Sequence, residues 1–148
     1  MIDSLIKKEL NEINIVWIPS NNKNFENLFD SLGFNYFHLT DFFLGLCSPN
    51  LVITNNRFSK FDTAINLCLT HHCNLIIIDH DEKPDIISTD KIISKMKLVP
   101  NVLQIAATPN VYHSWGNIHD IVLDTGIIQE DFSKILTSFY KKIFKVHE

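Results

Sequence analysis

The chain has 148 residues, with 13 basic against 17 acidic side chains and a formal net charge of −4; 45% of its residues are hydrophobic, 20% charged and 11% aromatic. These proportions describe one folded domain, residues 1–148, and exclude a disordered, fibrous or membrane-embedded chain. A domain of this length buries about 68–70% of its unfolded surface, enough for a core without covalent staples.

The first 13 residues, MIDSLIKKELNEI, place charges inside every apolar stretch and offer no small-residue cleavage site. They read as a helix over Ile2 to Leu10 and not as a signal peptide. Asn14 to Pro19 is a β-rich run, followed by polar SNNKN and a helical pattern from Phe25 to Leu32 that Gly33 ends by accepting positive φ. Tyr36 to Leu39 and Leu51 to Thr54 are two further short strands. Ser59 to His72 is a helix with Phe61, Ala64, Ile65, Cys68 and Leu69 on one face. Leu75 to Asp79 is continuously apolar up to its last residue, as a strand buried on both faces would be.

Beyond Pro84, Thr89 and Asp90 can cap a helix around Ile92, Ile93 and Met96, which Pro100 closes. Val102 to Ala106 and Ile118 to Leu123 read as strands, with a short proline-initiated helix between them from Pro109 to Trp115. Glu130 to Phe144 is amphipathic, with Phe132, Ile135, Leu136, Phe139, Tyr140 and Ile143 at helical spacing. Strands alternating with helices imply an α/β fold: a three-layer sandwich around a central parallel sheet of five or six strands, Rossmann-like.

Composition narrows the partners. Lysines are scattered, Arg57 is the sole arginine, and the Lys141-Lys142 pair suits a helix C-terminus, so no nucleic acid is expected. No apolar run approaches the roughly 20 residues that span a bilayer, so no membrane is expected. Cys47, Cys68 and Cys73 are odd in number and lack a CxxC spacing, which reads as reduced thiols in a cytoplasmic protein.

Ligands of open parallel sheets bind beyond the carboxyl ends of the strands. Neither GxGxxG nor GxxxxGK[ST] occurs among the chain's four glycines, so dinucleotide and Walker-type nucleotide sites are not expected. No cofactor is expected, although Ser, Thr and Asn loops leave FMN open. After the third strand, Asn56 and Arg57 stand where an anion or sugar would approach, and the guanidinium fork suits either. The alternative is a solvated helix-start residue or an ordinary salt bridge. After the fourth strand, Asp79-His80-Asp81-Glu82 offers His80 as an acid–base or sugar-contacting group. Adjacent residues rarely converge on one metal, so no metal site is expected there. A receiver domain would need an acidic pair after its first strand, where Trp17-Ile18-Pro19 supplies none.

Three segments taken together, ITNNRFSKFDTAINLCLTHHCNLIIIDHDEKP, VLQIAATPNVYHSWG and IVLDTGIIQEDF, resemble the N-terminal, acceptor-side half of GT-B-type glycosyltransferases, family-4-like and including phage-encoded relatives. The resemblance covers roughly residues 14 to 132. Asp79-His80 with Pro84, Thr108 to Trp115, and Gly126-Ile127 with Phe132 stand at that family's motif places. Asp79 replaces the usual glutamate, Ala107-Thr108 the usual serine, and Ile128 the usual acid. The resemblance implies a metal-independent cleft in which His80 is catalytic and Asn56, Arg57 and Thr108 contact a sugar or glycosyl acceptor. It also implies that the donor half comes from another chain, or that the domain is inactive and serves binding, assembly or a homo-oligomer. The alternative is a non-enzymatic flavodoxin-like or receiver-like regulatory or interaction module. Strand order separates the two: 2-1-3-4-5 for the module, 3-2-1-4-5 for the glycosyltransferase half.

Overall fold

A computed structural model describes residues 14–19, 24–32, 35–45, 49, 51–55, 60–86, 88–99 and 101–124, together with Phe132, Lys134, Ile135 and Phe139. Its strands are β1 (Ile15–Ile18), β2 (Tyr36–His38), β3 (Leu51–Thr54), β4 (Asn74–Asp79), β5 (Val102–Ala106) and β6 (Ile121–Val122). Its helices are α1 (Asn24–Leu32), α2 (Leu39–Phe43), α3 (Phe61–His71), α4 (Thr89–Met96) and α5 (Pro109–Ser114). All six strands are parallel, in the order β2-β1-β3-β4-β5-β6. The three-layer α/β architecture read from the sequence is therefore the fold.

The period of two along each strand sorts the core onto two faces. Ile15, Trp17, Leu51, Ile53, Ile76, Ile78, Leu103 and Ile105 face one way, packed with Phe29 of α1 and with Phe132, Ile135 and Phe139. Val16, Ile18, Val52, Leu75, Ile77 and Val102 face the other, against α3, α4 and α5. Handedness decides which helix goes where. The β1-to-β2 crossover runs in the opposite direction to every later one, so a right-handed connection puts α1 on the opposite face from α3, α4 and α5. The first face is held by aromatics: Trp17 meets Phe29 edge-on at 5.5 Å, and Phe29 lies 6.0 Å from Phe132.

Four local features differ from the sequence reading. Leu39 opens α2 instead of extending β2, because the His38 N–H bonds the Asp41 carboxylate and starts a helical turn. Ser88, not Thr89 or Asp90, caps α4, accepting the Lys91 N–H at 3.4 Å. α3 stops at His71 because His72 turns left-handed at φ 56°, and Cys73 N–H then bonds the Cys68 carbonyl at 3.0 Å. The strand expected from Ile118 shrinks to Ile121–Val122: Gly116 and Asn117 take positive φ, and His119 after them is buried while Asp120 is exposed. The expected helix over Ile2 to Leu10 and the Gly33 stop lie outside the described residues. Of the expected helix from Glu130 to Phe144, the four described residues are helical.

Candidate functional site at the carboxyl edge of the sheet

The direction in which successive strands are added reverses between β1 and β3, which marks the crevice above those strands as the first place to look for a ligand. There the buried Thr54 hydroxyl donates to the Ile18 carbonyl at 2.8 Å, joining the two strand ends. Asn55, also buried, continues from it. Asn56 and Arg57 follow directly in sequence but lie outside the described residues, as do Gly126 and Ile127.

One strand over, β4 and β5 end side by side, with Asp79 in register with Ala106. His80 and Thr108 therefore leave the sheet from neighbouring strands on the same edge. The Ala107 N–H donates to the Asp79 carbonyl at 2.9 Å, extending the pairing one residue past the strands. Thr108 is the N-cap of α5: its Oγ1 accepts the Val111 N–H at 3.2 Å, and Pro109 occupies the first turn, where a missing N–H is harmless.

The loop leaving β4 is fastened to α5. Fully buried Trp115 donates from Nε1 to the Asp81 carbonyl at 2.9 Å. The Lys83 N–H donates to Ser114 Oγ at 2.9 Å, and that hydroxyl in turn donates to the Val111 carbonyl. His80 sits half-buried within this loop. Burial lowers its pKa below the ordinary imidazole value, against the upward pull of Asp81 and Asp79, so the neutral ring is the form the fold favours.

Beneath the loop lies a pair that sequence reading missed. Asp79 Oδ2 and His119 Nε2 are 2.7 Å apart, with side-chain exposures of 3% and 0%. Asp79 projects onto the same face as Leu75 and Ile77. His119 comes from the segment before β6, beside Tyr112 at 6.1 Å between ring centroids. That segment is seated by three bonds to Gln104: the Gln104 N–H donates to Asp120 Oδ2 at 2.8 Å, its Nε2 donates to the Ile118 carbonyl at 3.1 Å, and its carbonyl accepts the Asp120 N–H at 2.8 Å. The one available signal was the polar His119-Asp120 step inside an otherwise apolar run.

Among the described residues, no three His, Cys, Asp or Glu side chains group so as to hold a metal ion, and no helix is long and apolar enough to cross a membrane. Cys68 of α3 and Cys73, on the turn before β4, are both buried; the Cys73 thiol donates to the Pro49 carbonyl at 3.2 Å, and burial pushes the Cys68 thiol up to about 12. No protein-family model, no curated protein and no solved structure significantly matches this chain.

Proposed function

We propose that this domain is a non-enzymatic α/β regulatory or interaction module of flavodoxin-like topology. The supporting observation is the strand order β2-β1-β3-β4-β5-β6, which begins 2-1-3-4-5 and not 3-2-1-4-5. The chemistry of the carboxyl edge agrees with that reading. Four of its side chains are held by hydrogen bonds within the fold: Thr54 to Ile18, Thr108 to Val111, Trp115 to Asp81, and Asp79 to His119. Such an edge makes a rigid recognition surface. β1 ends at Ile18-Pro19 with no carboxylate, so the phosphoryl-accepting chemistry of a receiver is not part of the proposal.

A glycosyltransferase-like acceptor-side domain is the second reading. Deleting the outermost strand from a 3-2-1-4-5 sheet and renumbering gives the order 2-1-3-4, the start of the order seen here. The exits of β4 and β5 also carry His80 and Thr108 on one edge, and a neutral half-buried imidazole is able to accept a proton from an acceptor hydroxyl. In that reading a second chain supplies the nucleotide-sugar half and no metal is needed.

Affinity capture from the native source, followed by assay of the captured assembly with labelled nucleotide-sugars, separates the two. The module reading expects bound partner chains, no sugar transfer, and undiminished capture by His80→Ala. Sugar transfer that disappears in His80→Ala would replace it with the second reading.

A further inference from the structure

Away from the carboxyl edge, a groove of about 300 Å³ runs between α2 and α3 on the outer helical layer. Its two walls differ in chemistry. α2 supplies Phe42 and Phe43, whose ring centroids are 5.4 Å apart. α3 supplies Thr63, Asn66 and Thr70, three and then four residues apart on one helix face, and His71, four residues beyond Leu67. Buried Leu67, on the same face, forms the floor. His71 meets the Phe42 ring edge-on at 5.0 Å and closes one end.

We propose that this groove binds a single neutral pyranose ring, free or at the end of a glycan. Three features select that ligand. The volume is at the small end of the about 300–1,000 Å³ typical of ligand pockets, which suits one ring. No Asp, Glu, Lys or Arg is among the described residues that line the groove, so these offer a phosphate, sulfate or carboxylate no counter-charge. The phenyl rings lie on one wall, opposite hydroxyl, amide and imidazole groups that can both donate and accept. A pyranose has that division: a C–H face for the electron-rich ring faces and a rim of hydroxyls for the opposite wall. A nucleobase, with two π faces, would be stacked on one side only.

The proposal is independent of any chemistry at His80, since its residues lie on different elements. The test is ¹H–¹⁵N NMR titration of the intact protein with glucose and N-acetylglucosamine, with glucuronate and adenosine as comparisons. The neutral sugars are expected to move the Asn66 side-chain amide and the backbone amides of residues 63–71 at millimolar concentration. Phe43→Ala and Asn66→Ala change exposed residues, so folding is retained, and each should weaken binding about tenfold or more. Thr70→Trp, which fills the groove, should abolish it. Shifts with adenosine but not the sugars would overturn the ligand class. Absence of any shift on α3, or sugar shifts that survive both Phe43→Ala and Thr70→Trp, would overturn the site.

Discussion

His119 illustrates how much a single residue can matter when its partner is 40 positions away. Its imidazole and the Asp79 carboxylate are both withdrawn from water, and each satisfies a polar atom of the other at 2.7 Å. Breaking such a pair leaves a buried polar group that the fold was built to match, whereas replacing both partners removes the mismatch as well. His119→Ala is therefore expected to lower stability by about 3–5 kcal/mol in urea unfolding, with His119→Ala/Asp79→Ala costing less than the sum of the two single changes. His80 gives a prediction of a different kind. Its folded pKa lies below its unfolded one, so the unfolded chain takes up the proton first as pH falls. The stability associated with the neutral ring is present above the unfolded value of about 6.5 and is lost as pH drops below it. His80→Gln should flatten that part of the stability–pH curve, measured by denaturation midpoints between neutral and acidic pH. An unchanged slope would mean that burial does not govern this histidine.

At the scale of elements, α5 shows a site candidate whose side chain has a structural task. Thr108 is a site candidate through the glycosyltransferase resemblance alone, yet its hydroxyl oxygen caps the helix that Pro109 begins. Thr108→Ala should cost about 1 kcal/mol of stability, and Thr108→Ser, which keeps the acceptor, far less. Thermal melts of the two variants check this. If Thr108→Ala melts with wild type, the cap contributes nothing and the hydroxyl is left for a ligand. Helix pairs are secured in other ways: Lys95 of α4 pairs with Asp62 of α3 and lies over the Phe61 ring at 5.9 Å. Most of these elements were legible in the chain because their periods are strong. Leu51 to Thr54 and Val102 to Ala106 coincide with β3 and β5. α2 was not legible: five residues are too few to display a helical period, and its start depends on the bond from His38 to Asp41.

For the whole molecule, the sheet's layering predicts where stability resides. β1, β3, β4 and β5 are paired on both sides, and their core side chains are sealed by helices on both faces. β2 and β6 are edges, and β6 spans only two residues. Native-state hydrogen exchange should therefore be slowest in β4, opening only with global unfolding, and fastest among the strands in β2 and β6. Faster exchange in β4 than in β2 would contradict this layering. The alternation of apolar strands with amphipathic helices, by itself, determined that the chain is an α/β sandwich with a parallel sheet. It also named the strand exits where polar residues gather, His80 among them. Those conclusions follow from local periodicity, which each segment carries in its own residues. Strand order, the pairing of Asp79 with His119, and the groove between α2 and α3 were decided by the tertiary structure alone. Each depends on which distant segments meet, and no spacing along the chain encodes whether β3 lies beside β1 or beyond β2.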